Sequence, residues 1–230
     1  MKKALLPTEL KTLEADQLFV SEFFLSIQGE TTHAGRPCFF VRLTGCHLRC
    51  TWCDTAYSFF DGQHHRIADC VARAKASGAP LVQVTGGEPL LQPASLPLMT
   101  ALCDEGFEVL VETSGAVDIR AVDPRVRRIV DWKCPGSAMA DHNRPDVLSD
   151  LRDGDELKLV LLDRRDYEWG RDWVRANRER IPDQVPVHFS PVFDRLPYEE
   201  LAAWVLEDQL NVRLNLQIHK WIWDPQQRGV

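Results

Sequence analysis

The chain has 230 residues, of which 44% are hydrophobic and 27% charged, and carries a formal net charge of -7 at pH 7. That composition fits a globular domain with a substantial core, and an acidic chain without a long basic run excludes nucleic acid as the main partner. No stretch approaches the roughly 18 apolar residues of a membrane span. Seven cysteines, an odd number, speak against a disulfide framework and for thiolate or metal chemistry.

The opening Met1-Lys2-Lys3-Ala4-Leu5-Leu6-Pro7 is charged and its apolar run stops at Pro7, so it does not read as a signal peptide and the cytoplasm is the expected compartment. Residues 1–17 read as a polar N-terminal arm and 18–230 as a single domain. Short apolar runs rich in β-branched or aromatic residues predict strands at Cys38–Leu43, Leu81–Thr85, Phe107–Glu112, Val126–Asp131, Glu156–Leu161 and Val185–Phe189. Helical spacing appears at Ile67–Ser77, ended by Gly78-Ala79-Pro80, at Ala94–Glu105, ended by Gly106, at Arg165–Glu179 and at Tyr198–Leu210. Alternating strands and helices give an α/β fold with a parallel sheet. About six parallel strands with helices are too few to close an eight-stranded barrel, so a partial barrel or an open sheet is expected, with ligands at the carboxyl ends of the strands. The Gly45–Cys53 loop, Gly86-Gly87-Glu88-Pro89, Thr113-Ser114-Gly115, and Lys133 with Cys134 all fall at such ends.

The segment Thr44-Gly45-Cys46-His47-Leu48-Arg49-Cys50-Thr51-Trp52-Cys53-Asp54-Thr55 holds three cysteines with the spacing C-x3-C-x2-C. Iron–sulfur clusters are held by cysteine thiolates, and three thiolates on a four-iron cubane leave one iron open. Zinc held by the three thiolates with His47 or His33 is the alternative, although zinc sites usually come as two paired half-motifs. Cys38, Cys70 and Cys103 fall in strand and helix patterns and read as structural, and Cys134 lies beside the candidate site.

The three cysteines, with Trp52 before the last, resemble the signature of the radical S-adenosylmethionine (SAM) superfamily. Val84-Thr85-Gly86-Gly87-Glu88-Pro89 is similar to its SAM-binding turn. The resemblance implies a [4Fe–4S] cluster on Cys46, Cys50 and Cys53. SAM would chelate its open iron and be cleaved by one electron to a 5′-deoxyadenosyl radical. It implies Trp52, Gly86, Gly87, Glu88, Thr113, Ser114, Lys133 and Ser137 as SAM contacts, with Glu88 available to the SAM ammonium. Lys158 is a weaker candidate at a similar strand end.

The stretch Phe24-Leu25-Ser26-Ile27-Gln28-Gly29-Glu30, then Gly35-Arg36-Pro37, Phe39-Phe40-Val41-Arg42, Asp54-Thr55, Ser190-Pro191-Val192 and Leu216-Gln217-Ile218-His219-Lys220 resembles the 7-carboxy-7-deazaguanine synthase family from about residue 20 to 220. The resemblance implies a carbon–nitrogen lyase of queuosine biosynthesis. It would contract the ring of 6-carboxy-5,6,7,8-tetrahydropterin with loss of ammonia, regenerating SAM and using Mg²⁺. Ile27, Gln28, Glu30, Arg42 and Thr85 are then the substrate contacts, and Thr55 with Asp54 the Mg²⁺ ligands. Glu30 can accept from a pterin amino edge, Gln28 can donate and accept, and Arg42 can clamp a carboxylate. An electron donor such as flavodoxin, a homodimer, and no membrane or nucleic-acid partner complete the expectation. Two other readings compete: a glycyl-radical-activating enzyme, which needs a groove for a protein, and a non-catalytic iron–sulfur or zinc module. One departure stands out: the family commonly has glycine after Gln-Gly-Glu, and this chain has Thr31.

Overall fold

The computed structural model describes residues 6–230. Most of the charged opening stretch therefore lies outside the described residues. Pro7 is buried, and a short 3-10 turn at Thr8–Lys11 follows it. Among the described residues the strands are β1 (Gln17–Ile27), β2 (Pro37–Leu43), β3 (Gln63–Arg66), β4 (Leu81–Gly86), β5 (Glu108–Thr113), β6 (Arg127–Trp132), β7 (Glu156–Leu161), β8 (Val187–Pro191) and β9 (Arg213–Leu214). The helices are α1 (Ile67–Ser77), α2 (Ser95–Asp104), α3 (Arg164–Asn177), α4 (Tyr198–Glu207) and α5 (His219–Ile222).

One sheet holds the strands in the order β3-β1-β2-β4-β5-β6-β7-β8-β9. From β2 onward every pairing is parallel, while β1 pairs antiparallel with both β2 and β3. The strands expected from sequence are β2 and β4 to β8, and the fold is the expected α/β half-barrel. β1 and β3 are additions at one edge. β1 escapes a search for βα units because it returns directly as a hairpin with β2 and has no crossover helix.

Parallel strands covered on both faces alternate between two environments. Phe39, Val41, Val82, Val84, Val109 and Val111 face α1 and α2 and join Cys70, Leu98 and Leu102 in one core. Leu157, Leu159 and Phe189 pack with Tyr167 of α3 and Leu201 of α4 in a second. The other face of β2, β4, β5 and β6 carries Cys38, Phe40, Leu81, Leu110 and Ile129, a smaller apolar cluster inside the half-barrel. Cys38, Cys70 and Cys134 are buried and Cys103 half-buried, as structural cysteines are. At the amino ends of β6 and β7 the fully buried Arg128 forks onto Asp155 and also donates to the Ile119 and Asp150 carbonyls. No helix among the described residues is long and apolar enough to cross a membrane.

The β1–β2 hairpin reaches beneath the half-barrel. Its neck is closed by Gln28 N to Arg36 O and Gly35 N to Gln28 O, both 2.8 Å. Thr31 sits in the tip with φ +66°, the left-handed region where a β-branched residue is strained. One tertiary and one local bond hold it there: its N–H donates to Asn215 Oδ1 at 2.7 Å, and its hydroxyl accepts from His33 N at 3.2 Å. The departure from glycine thus leaves a left-handed turn, paid for by side-chain bonds. Both Thr31→Gly and Thr31→Ala lose the hydroxyl, but only glycine relieves the backbone. Thr31→Gly should therefore be more stable than Thr31→Ala by roughly 1 kcal/mol in urea unfolding. Equal midpoints would show that the turn is unstrained.

Candidate active site in the half-barrel

A cavity of about 600 Å³ opens at the carboxyl ends of the strands. Cys46, Cys50, Trp52, Cys53, Asp54 and Thr55 line it from the loop after β2. Thr85, Gly86 and Gly87 come from β4, Thr113 and Ser114 from β5, and Lys133 from the end of β6. Ile27, Gln28, Glu30 and Arg42 come from β1, the hairpin and β2. Two predicted residues, Glu88 and Ser137, stand behind this surface.

The cysteine loop is fastened on several sides. Gly45 has φ +99°, and a Cβ there would meet Leu10 Cδ1 at 2.8 Å, so the N-terminal turn lies against the loop. Gly87 is equally constrained: a Cβ would stand 2.5 Å from that of Cys46, and Glu88 N donates to Gly45 O at 2.9 Å. Thr51 donates its N–H to Ser137 O at 3.2 Å and its hydroxyl to Gly136 O at 2.7 Å. Arg49 donates to the Cys46 and Leu48 carbonyls and lies 4.0 Å over the Phe59 ring.

Burial pushes all three thiols up, Cys46 to about 11, so a soft metal is what would draw off their protons. The thiols line one wall, and among the described residues no three or more His, Cys, Asp or Glu converge on a single ion. Three thiolates on one loop are the donor set of a four-iron cubane with one open iron. His33, an alternative zinc ligand, is engaged near the amino ends of the strands with Arg36, Glu108 and Glu156.

Glu88 differs from the expectation of a carboxylate free to meet an ammonium. It is fully buried. It accepts from Leu90 N at 3.1 Å, Thr113 Oγ1 at 2.9 Å, Ser114 N at 2.7 Å and Ser114 Oγ at 2.5 Å. It caps the turn after Gly87 and aims Thr113 and Ser114, whose surfaces do face the cavity. Ser137 is also fully buried and donates to Cys134 O at 2.6 Å. Its contribution is the carbonyl that holds Thr51.

Deeper in the cavity, polar side chains form a closed ring. Gln28 Oε1 accepts from Glu30 N at 2.7 Å, and its amide donates to Gln83 Oε1. Gln83 donates to Glu112 Oε2 at 3.0 Å. The Lys158 ammonium closes the ring by binding Glu112 and, at 2.8 Å, Glu30. Asp131 stands 3.9 Å from Lys158 and 3.0 Å from Lys133, which lies over the Trp52 ring. Burial pushes the Glu30 carboxyl up, but Lys158, with smaller help from His219 and Gln217, outweighs it and holds Glu30 at about 2. Burial, with the charges of Glu30 and Asp131, pushes Glu112 the other way.

At the mouth, Arg42 Nε donates to Glu22 Oε1 at 2.6 Å, and the Tyr57 hydroxyl donates to the same oxygen at 2.7 Å. The guanidinium lies over Phe24 and Tyr57, and Arg228 covers Tyr57 at 3.9 Å. Asp54 accepts from Thr55 Oγ1 at 2.8 Å and from Lys220 Nζ at 2.9 Å. These are hard oxygens, and one or two suffice for Mg²⁺, which keeps several non-protein ligands. Gly29 packs on the ring of His219, leaving no room for a Cβ, and Ile218 N donates to Gly29 O at 2.9 Å.

Sequence reasoning gave no site role to Gln83, Glu112, Asp131 or Asn215, quoted Gln217 and His219 only within a stretch of family resemblance, and ranked Lys158 low. Their signal was there for the first three and Lys158: a charged or amide residue interrupting an apolar parallel strand.

Residues 40–132 match the family model of the radical SAM superfamily. A 7-carboxy-7-deazaguanine synthase of Chlorobaculum tepidum is 43% identical over 216 residues, covering 93% of this chain and 97% of that one. This chain belongs to the 7-carboxy-7-deazaguanine synthase family. The family's enzyme from Koribacter versatilis is 42% identical over 92% of this chain and 99% of its own. The crystal structure of QueE from Escherichia coli superposes with a TM-score of 0.71 at 26% identity, covering 87% of this chain and 94% of that one.

A carboxylate held below its ordinary 4.5 stabilises the fold fully above that value and loses the contribution as pH falls toward about 2. The urea midpoint of the wild type should therefore drop more steeply between those pH values than that of Glu30→Gln. Parallel curves would remove the Glu30–Lys158 pair as a source of acid sensitivity.

Proposed function

We propose that this chain converts 6-carboxy-5,6,7,8-tetrahydropterin to 7-carboxy-7-deazaguanine with loss of ammonia, using a [4Fe–4S] cluster, SAM and Mg²⁺. One observation carries the assignment: the three-cysteine loop and the ring of Gln28, Glu30, Gln83, Glu112 and Lys158 face one cavity of about 600 Å³. That volume suits SAM beside a small heterocycle.

Cys46, Cys50 and Cys53 hold the cluster, and Thr55 with Asp54 supplies oxygen ligands to Mg²⁺. When bound, the cluster and SAM supply one-electron cleavage and hydrogen-atom abstraction at C6 of the pterin. Gly86 and Gly87, whose lack of a Cβ lets the turn pack against Leu43 and the cysteine loop, turn their backbone toward SAM, and Thr113 and Ser114, aimed by Glu88, offer polar contacts to it. Trp52, with Lys133 over its ring, forms an apolar wall that keeps water from the reacting carbon. Glu30, kept ionised by Lys158, accepts from the amino and ring N–H groups of the pterin. Gln28 has one N–H and one lone pair left after binding Gln83 and Glu30. Arg42 keeps its terminal nitrogens for the substrate carboxylate while Glu22 orients it. Ile27 and Thr85 complete the wall between the substrate and SAM ends. A glycyl-radical-activating role would need a groove for a protein chain, where this cavity offers a polar ring fitted to a small molecule.

The deciding experiment is anaerobic reconstitution with iron and sulfide, followed by SAM, Mg²⁺, reductant and the carboxytetrahydropterin. The carboxydeazaguanine mass and one equivalent of ammonia are expected. SAM cleavage without that product would overturn the substrate assignment and leave the cluster assignment standing. Reduced flavodoxin should replace the chemical reductant in the same assay, as befits a cytoplasmic enzyme.

A homodimer fits the exposed apolar side chains at one end of the sheet: Leu214 and Leu216 are each 37% exposed, Ile222 54% and Trp221 67%. Light scattering after gel filtration should give twice the chain mass at micromolar concentration, and a monomer there would remove the dimer.

A further inference from the structure

The hairpin that carries Gln28 and Glu30 is anchored at a point the proposed reaction does not use. Its tip, Thr31 to His33, crosses beneath the half-barrel from the β2 edge toward β7 and β8. Thr32 N donates to Glu156 Oε2 at 3.1 Å, and Thr32 Oγ1 donates to Glu156 Oε1 at 2.5 Å. Glu156 is the first residue of β7, and its side chain is only 3% exposed. A buried carboxylate at a strand end is expensive unless paired, and Glu156 has two histidines as well. His188 Nε2 of β8 lies 2.5 Å from Oε2, a close contact rather than an aligned hydrogen bond, and His33 Nε2 lies 3.6 Å from Oε1.

The preceding residue shows what a purely structural acid looks like in the same place. Asp155 pairs with Arg128 and caps Arg152 N, tying β6 to β7 with no bond to the hairpin. Glu156 instead grips a segment 124 residues away in sequence. Two residues before its grip stands Glu30, whose carboxylate must meet Lys158, one turn of the pleat further along β7. One strand therefore fixes both ends of the element that faces the substrate. Glu156 sets where the hairpin tip lies, and Lys158 receives the carboxylate that this placement delivers.

We propose that Glu156 is a positioning residue for substrate recognition, setting through Thr32 the depth at which Glu30 and Gln28 enter the cavity. This rests on the pterin assignment above. Loss of the anchor lets the tip relax, and Glu30 then meets the amino edge of the pterin in a broader range of positions. The cysteine loop and the Gly86–Gly87 turn lie at the other ends of the strands, so SAM binding is untouched.

The test uses cluster-loaded, unreduced protein with SAM, and 6-carboxypterin as an unreactive probe, by calorimetry. Glu156→Ala should weaken the probe about tenfold or more, the loss of two hydrogen bonds to a charged group. SAM affinity should stay within about twofold. Glu156→Gln, which keeps an acceptor for Thr32, should recover most of the loss, and Thr32→Val should fall between. Amide exchange over residues 28–36 should speed up in Glu156→Ala and not in Leu201→Ala, a destabilising control buried between α4 and its core. Probe binding by Glu156→Ala equal to that of Leu201→Ala would overturn the role of Glu156 while wild-type binding preserves the pterin assignment. A wild type that binds no probe overturns the assignment itself, and with it this role.

Discussion

The interior of the half-barrel depends on one buried ammonium. Lys158 has Glu30 and Glu112 as direct partners and Asp131 at 3.9 Å, and Lys133 offsets part of the remaining negative charge. Three carboxylates so close together could not stay ionised alone in a low-dielectric site. With two ammonium groups among them, one acid is in excess; burial first, and then the charges of Glu30 and Asp131, push Glu112 upward. The site thus pairs a carboxylate fixed as an acceptor with another that holds a proton more readily. Their bonds run in a ring, so each partner limits the freedom of the next.

That ring lies on the same alternation that makes the core. Phe40 pairs across the sheet with Gln83, and Gln83 with Leu110, so an apolar patch and a polar patch share the inner face. The outer face is mainly apolar, with Arg128 at the start of β6 as its buried charge, and packs against α1 to α4. Packing fixes the strands, and the strands then present a few polar groups at set heights. The cysteine loop gains its shape from neighbours too: Leu10, Ser58, Gly87 and Ser137 each touch or bond it.

Much of this was legible because it is local. Three cysteines in one loop and a Gly-Gly turn after a strand carry their chemistry in their spacing. Helix α1 ended where Gly78 and Pro80 said it would. What escaped was non-local. β1 has no crossover helix to announce it. Asn215 and Gln217 reach Glu30 from 185 and 187 residues away, and no spacing rule links them. Glu88 reads in sequence as an available carboxylate after Gly-Gly, while the fold engages both its oxygens with Thr113, Ser114 and Leu90. Gln83, Glu112, Asp131 and Lys158 were visible as polar letters in apolar strands, and a rule weighing those breaks more heavily would have found the ring.

Gly29 and His219 occupy what amounts to one residue's space. The hairpin and α5 come from opposite ends of the chain, yet the wall they share has no slack for a single methyl group. Drift at either position is therefore bound to the other: a side chain at 29 demands a smaller one at 219 and shifts the helix bearing Lys220, the partner of Asp54. Across relatives, the two positions should vary as a pair, a mark of contact written in sequences that never need to be folded to be read.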